Sequence, residues 1–279
     1  MSFYGTSMIF DGIACEEMGL TLYSFDNHKQ DETAFSSDLK ISEDRIDGRF
    51  RSLFYGGTIN EPLEFTLTLC ASDERVANKE SFDRWDLQKI ASWLTGHAEY
   101  KWLTIVQPDM EDVRYRCICS ELVAVEVADK KWGFSCKVTC DSPYAYTLPR
   151  SYVFDFSGTG SLAPVAGGGD VFSESSANDF YYPVLKISHH NGGDLAIMTQ
   201  NSRETSVFKF YGVPASCGTI TIDCENGVIT ADDGSNLYKY LNFSDGFHFP
   251  RFARGNNHLQ FGGTGIFTFV CEWPVNVGG

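Results

Sequence analysis

The stretch 82–146 constrains the fold most, because one short amphipathic helix is followed there by a run of alternating strands. Ser81 is expected to cap the start of the helix, and Gly96 to end it in the left-handed conformation. The apolar positions recur at a period of 3.6 residues and lie close to one face. They are Phe82, Trp85, Leu87, Ile90, Ala91 and Leu94. The pattern predicts a single helix that packs through one apolar face.

The strands after this helix are short and closely spaced, as in a meander. We predict them at residues 102–106, 113–120, 121–128 and 132–140, with a turn at Gln107-Pro108-Asp109. In the last strand, apolar side chains from Phe134 to Cys140 alternate with polar ones, so one face is buried and the other is wet. An earlier strand of the same kind starts at Pro62.

A second all-β domain is predicted after a region rich in Gly and Ser at 157–178. Short strand patterns recur from residue 184 to the C-terminus, separated by turns such as Asn191-Gly192-Gly193. These patterns fall at 184–188, 195–199, 207–211, 218–223, 227–231, 237–241, 247–249, 258–261 and 265–273. The predicted fold class is therefore mainly β, with two β-sandwich-like domains, 1–150 with one short helix and 151–279.

Residues 26–61 form the most polar part of the first half, and they are long for a loop in a compact domain. Loops of this length are often functional, disordered until assembly, or arms that reach a neighbouring subunit. A surface hairpin around Asp47-Gly48 accounts for the same residues equally well. Both interpretations stay open.

Charge and cysteine content exclude several classes of protein. Thirty-seven acidic residues against 22 basic ones give a net charge of −15, which argues against gripping DNA through its phosphates.

The N-terminus has no basic leader, and no window has the roughly 20 apolar residues of a membrane span, so we expect cytoplasmic synthesis. Nine cysteines in strand-like segments are interpreted as small buried hydrophobes. A zinc site formed by Cys117, Cys119, Cys136 and Cys140 is the less favoured alternative.

No motif predicts a catalytic, cofactor-binding or metal-binding residue. Gly167-Gly168-Gly169 lacks the Lys of a phosphate loop. His189 and His190 are adjacent on a strand and point to opposite faces, so they cannot easily ligate one metal ion. We interpret them as surface histidines at the end of a strand. Asp232-Asp233-Gly234 is interpreted as a hairpin turn.

Aromatic residues of the second domain suit sugar stacking, although most are expected in the core. The weak candidates for glycan contact are Tyr238, Tyr240 and Phe247.

Several segments together resemble the siphophage distal tail protein family. They are a first hairpin at 8–13 followed by Glu17-Met18-Gly19-Leu20, the Trp93-Leu94-Thr95-Gly96 helix end, the Pro143-Tyr144-Ala145-Tyr146 segment, and the strands and turns of 219–234 and 255–261. The order and spacing of these segments carry the resemblance. It implies a tail-tube-like N-terminal domain and a C-terminal sandwich like galectins or carbohydrate-binding modules.

The resemblance also implies a function. Six copies would form a hub ring that joins the tail tube to the baseplate or fibre proteins at the virion tail tip, with DNA passing through its channel. No enzyme activity, cofactor or membrane is implied. The expected subunit interface combines the 26–61 segment with the following strand, at Asp31, Phe35, Leu39, Ile41, Ile46, Phe50, Leu63, Phe65 and Leu67. A carbohydrate-binding adhesin of the host cell wall is the alternative.

Overall fold

The computed structural model describes residues 7–24, 40–58, 61–107, 110–157, 168–243 and 246–277. The chain forms two compact units, one of Met1–Thr147 with Asn276–Gly279 and one of Leu148–Val275. The division lies close to the predicted one at residue 150. The sequence did not indicate that the last residues belong to the first unit.

The first unit is built on one antiparallel sheet with strand order β2-β1-β7-β8-β9-β6-β3. β10 pairs with β8 beside this path, and β4 and β5 form a separate two-stranded sheet. The elements are β1 (Ser7–Phe10), β2 (Ile13–Ala14), β3 (Leu20–Ser24), β4 (Lys40–Asp44), β5 (Leu53–Thr58), β6 (Glu64–Ala71), α1 (Asp73–Ala77), α2 (Arg84–Thr95), β7 (Lys101–Val106), β8 (Val113–Val127), β9 (Lys130–Cys140) and β10 (Ala145–Thr147).

Helix α2 packs on the sheet through Ile90, Trp93 and Leu94, which are buried. The Trp93 indole Nε1 donates a hydrogen bond to the Phe10 carbonyl oxygen at 3.0 Å. This bond satisfies the polar end of a large buried side chain, so the helix is fixed against β1 as well as buried on it. The prediction of one helix packed through an apolar face is confirmed.

Three details of the predicted helix are wrong. Asp83, rather than Ser81, is the cap, and its carboxylate accepts hydrogen bonds from the backbone N–H groups of Trp85 and Asp86, both at 2.8 Å. Gly96 has φ −75°, so the helix does not end in the left-handed conformation. Trp85 is 78% exposed, because about 100° per residue places it roughly 140° from Ile90 around the helix.

The long strand β8 replaces two predicted strands, 113–120 and 121–128. A bulge between Ser120 and Val123 shifts the pairing register with β9 at the predicted boundary, and the strand continues through it. Ala128 and Asp129 join β8 to β9 with φ of 52° and 60°, which is the left-handed geometry of a tight two-residue hairpin turn.

The second unit is a β-sandwich with one sheet in the order β11-β19-β13-β16-β17 and another in the order β12-β18-β14-β15. Buried side chains from both sheets share one core that includes Phe208, Phe261 and Phe269. The strands are β11 (Arg150–Asp155), β12 (Gly168–Ser173), β13 (Val184–Ser188), β14 (Gly193–Gln200), β15 (Thr205–Val213), β16 (Ile220–Asp223), β17 (Val228–Ala231), β18 (Gly255–Gly262), β19 (Ile266–Cys271) and β20 (Pro274–Val275). The mainly β fold class is confirmed.

Two predicted strands of this unit are absent from its described residues. The first, at 237–241, is a 3-10 turn at Tyr238–Tyr240, because the Asn236 side chain accepts from the Tyr238 backbone N–H at 3.0 Å and starts a turn. The second, at 247–249, is reduced to one bridge between Phe247 and Val207. The segment instead runs along β15, the last strand of its sheet, and covers part of its edge.

Candidate assembly surfaces

The pair β4–β5, which we call the 40–58 hairpin, stands apart from the large sheet of the first unit. Lys40 lies opposite Thr58 at its open end, and Asp44 lies opposite Leu53 next to the turn. All five side chains of β4 are exposed. Two-stranded hairpins without further packing are only marginally stable in water, so this one gains stability from any surface that covers it. The structure thus has the predicted surface hairpin.

The 40–58 hairpin carries an unusual number of exposed apolar side chains. Phe50 is 98% exposed, and Ile41, Ile46, Phe54 and Tyr55 are also exposed. Three of the expected interface residues, Ile41, Ile46 and Phe50, therefore lie on open surface. Asp31, Phe35 and Leu39 lie outside the described residues. Phe54 and Tyr55, which follow Leu53 in β5, were not selected from the sequence.

The strand after the hairpin divides the remaining interface candidates by burial. Leu63 and Phe65 are half-buried, and the Phe65 ring packs edge-on against Tyr115 at 5.3 Å. Leu67 is fully buried opposite Cys136, so its selection as an interface residue is wrong because no part of its side chain is left for a neighbour. Among the described residues, β3 covers β6 only from Thr68 onward, which leaves Glu64–Leu67 with a partner strand on one side.

An aromatic surface lies beside β15 in the second unit. Phe243 is 70% exposed, and its ring packs on the half-buried Phe247 at 4.9 Å. Tyr211 is exposed, and its hydroxyl accepts a hydrogen bond from the Asn242 amide at 3.1 Å. Sequence reasoning selected Phe247 but missed Phe243 and Tyr211, because aromatic spacing alone does not separate exposed rings from core rings.

The other two glycan candidates differ in environment. Tyr238 is exposed, yet its hydroxyl donates to the Gly227 carbonyl oxygen and accepts from the Ile229 backbone N–H, each at 2.9 Å. Tyr240 is half-buried, with the Lys239 amine 4.8 Å from its ring centroid. The Tyr238 hydroxyl is therefore engaged in the fold, and its ring face is the part available for contact.

A mostly buried ion pair of the second unit joins Arg251 to Glu204. The Arg251 Nε lies 2.7 Å from the Glu204 carboxylate, and the guanidinium lies 4.3 Å from the Phe180 ring centroid. The guanidinium lowers the pKa of Glu204 below its usual value, so this stabilisation is present at neutral pH and is lost as acid protonates the carboxylate. Both side chains are mostly buried, which limits screening by salt.

His190 and the four candidate cysteines are buried in the fold. His190 is buried rather than at the surface as predicted, because its Nε2 bonds the Gly218 carbonyl oxygen at 2.8 Å and its Nδ1 accepts from the Gly192 N–H at 3.2 Å. Burial raises the pKa of the Cys140 thiol to about 12, and the pKa of Cys271 is raised for the same reason. Raised thiol pKa values disfavour nucleophilic chemistry.

No cofactor site emerges from the described part of the chain. Within it, no group of three or more His, Cys, Asp or Glu side chains is placed to hold a metal ion, Cys117, Cys119, Cys136 and Cys140 included. A search of the same residues for a helix long and apolar enough to cross a membrane finds none. The exposed surfaces described above are therefore the features that need a functional explanation.

Comparison with known proteins gives one family and two related folds. A family described as "Phage tail protein N-terminal domain" matches residues 3–142. The crystal structure of Dit from phage SPP1, described as a hub of the adsorption apparatus, aligns with TM-score 0.66 and 9% identity over 97% of this chain and all of that one. A chain of the phage P2 baseplate aligns with TM-score 0.58 and 10% identity, covering 98% and 99% of the two chains. Among curated proteins, none matches the sequence significantly.

Proposed function

This chain belongs to the family of phage tail proteins that share this N-terminal domain, and we propose that it is the hub protein of a tail tip. Its fold is that of the SPP1 hub protein over nearly the whole length of both chains. In the proposed role, six copies close a ring, the first unit joins the tail tube to baseplate or fibre proteins, and DNA passes through the central channel. The ring would assemble in the cytoplasm of the infected bacterium.

The observation that carries this proposal is the 40–58 hairpin. It is exposed along β4, and it presents apolar side chains such as Phe50 and Phe54 that a lone subunit leaves in water. An element of this kind contacts a different surface on the next copy, and such a head-to-tail interface closes into a ring after a fixed rotation. Ile41, Ile46, Phe50, Leu63 and Phe65 are the described residues that we assign to it.

The electrostatics and chemistry of the chain agree with a structural role. A net charge of −15 disfavours a grip on DNA, and acidic residues facing a channel would let DNA slide past. Eight of the nine cysteines are buried, and the buried His190 bonds the Gly218 carbonyl oxygen, so these side chains serve the fold. We therefore propose that the protein acts by assembly and not by catalysis.

The first test is the native mass of the purified protein, followed by negative-stain imaging of the same sample. We expect a particle of six subunits, or of two such rings back to back, with a central hole. Stable interfaces have dissociation constants far below the millimolar range. A protein that is still monomeric at roughly millimolar concentration would therefore contradict self-assembly of the isolated hub.

A second candidate function is binding of host cell-wall glycan by the second unit. The observation that favours it is the exposed Phe243 ring beside Phe247 and Tyr211, since exposed aromatic rings suit the apolar faces of sugars. The two functions are compatible, because a hub can carry a binding domain.

The expected result is saturable binding to purified bacterial wall polysaccharide that Phe243→Ala weakens about tenfold, as the loss of one stacking contact predicts. Phe172→Ala is the matched control, because Phe172 is an exposed ring on β12 of the same unit. Equal losses in the two variants, or no binding by the unmodified protein to any polysaccharide of a broad panel, would count against this candidate.

A further inference from the structure

The turn of the 40–58 hairpin concentrates positive charge in an acidic chain. Arg45, Arg49 and Arg51 lie between β4 and β5, and all three are exposed. None of them has an ion pair within the described residues. Phe50 stands between two of them and is almost completely exposed. We call Arg45, Arg49, Phe50 and Arg51 the arginine tip.

Two further exposed apolar side chains lie on the helices of the first unit, in a stretch of the chain where acidic residues outnumber basic ones. Trp85 in the first turn of α2 and Val76 in α1 are both exposed. Asp73, Glu74 and Glu80 are exposed in the same stretch, and no ion pair engages them within the described part of the chain. We call Val76, Trp85, Asp73, Glu74 and Glu80 the Trp85 patch.

The Trp85 patch is held in place by the fold. The guanidinium of Arg75 in α1 binds both carboxylate oxygens of Asp86 in α2, at 2.9 and 3.1 Å, and lies 4.9 Å from the Phe82 ring centroid. This guanidinium lowers the pKa of Asp86, so the pair persists at neutral pH. Two parallel hydrogen bonds fix the relative orientation of the two helices, so the patch is preorganised for binding.

We propose that the arginine tip of one copy docks on the Trp85 patch of a neighbouring copy. The proposal rests on the ring described above and names the surface that receives the hairpin. Between residues 45 and 51 there are three arginines against one aspartate, and between residues 73 and 86 there are five carboxylates against three basic side chains. Phe50 packs against Trp85, and the flanking arginines face the carboxylates.

We assign a second copy of the chain to the Trp85 patch, because a single copy leaves both the arginine tip and the Trp85 patch exposed. If the tip folded back on its own patch, Phe50 and Trp85 would be covered, whereas both are highly exposed. Arginine and tryptophan are the residues most often found at the energetic centre of protein interfaces. The contact is between two different surfaces, as a closed ring of identical subunits requires.

Photocrosslinking tests the position of the contact. Phe50 is replaced by p-benzoyl-phenylalanine, the variant is mixed with unmodified protein labelled with ¹⁵N, and the crosslinked peptides are identified by mass spectrometry. We expect crosslinks from the variant to labelled peptides that contain Val76 or Trp85. A ring whose crosslinks lie elsewhere overturns this docking site and leaves the hub proposal standing. Monomers without any crosslink between chains overturn both.

A charge swap tests the chemistry of the contact. Arg45→Glu, Arg49→Glu and Arg51→Glu together are expected to weaken association at least about tenfold, and Asp73→Lys, Glu74→Lys and Glu80→Lys are expected to restore it in the combined variant. The matched control carries Lys186→Glu, Lys239→Glu and Arg254→Glu, which change the net charge equally on exposed residues of the second unit. Equal weakening by the control, or no restoration in the combined variant, overturns the proposal.

Discussion

If the protein forms the proposed ring, removing the 40–58 hairpin is expected to convert it into monomers while the subunit stays folded. Lys40 and Thr58 are paired at the base of the hairpin, so a short Gly-Ser linker can replace residues 41–57 without straining either end. The deletion removes Ile41, Ile46 and Phe50, three exposed apolar side chains of the proposed interface. Losing several residues from the centre of an interface typically removes most of its binding free energy.

The measurement is native mass together with far-UV circular dichroism, which reports whether the remaining strands are intact. Ser42→Ala with Ser52→Ala is the matched control, because it alters the same hairpin without removing apolar surface, and it should assemble normally. A deletion variant that still forms rings of the full subunit number would show that the hairpin is not interface material.

Replacing Phe269 by alanine is expected to destabilise the second unit by about 4 kcal/mol, the usual cost of emptying a large buried aromatic site. Phe269 is fully buried in β19, and its ring lies 5.4 Å from Phe252 and 6.1 Å from Phe154. Both neighbouring rings lose contacts with the deleted side chain, so the cavity cannot collapse without moving several aromatic residues at once.

Thermal unfolding should show this loss as a drop of about 15 °C in the transition of the second unit, given its size. Hydrogen exchange identifies the unit, because protection should fall in Leu148–Val275. Val153→Ala is the control in the partner strand β11, where the side chain is exposed, and it should change the stability by less than about 0.5 kcal/mol. Similar losses in the two variants would mean that Phe269 is not central to the core.

The strands could be predicted from sequence because each buries one face, and alternation is a local property. Residues 134–140 show this, since their alternating apolar side chains turned out to be the buried ones. Helix α2 was found for the same reason, yet Trp85 was assigned to its buried face. Each residue turns the helix by about 100°, so Trp85 lies well off the face that carries Ile90, and only the position of the sheet decides which face is covered.

The candidate surfaces were less predictable, because exposure depends on which elements pack together. Leu63, Phe65 and Leu67 belong to one alternating pattern, but burial increases along β6 as neighbouring strands cover it. The 237–249 segment has the aromatic alternation of a strand, yet the side chain of Asn236 starts a turn there. In both cases long-range pairing or a single side-chain hydrogen bond overrides the pattern.

The first unit receives its last part from Asn276 onward, and Val277 in that part is buried. The second unit is therefore an insertion within the first, so exchanging it between related genes requires two junctions, one near Leu148 and one near Val275. The same order applies during translation. Asn276–Gly279 follow the second unit along the chain, so they can join the first unit only after the whole second unit has been synthesised.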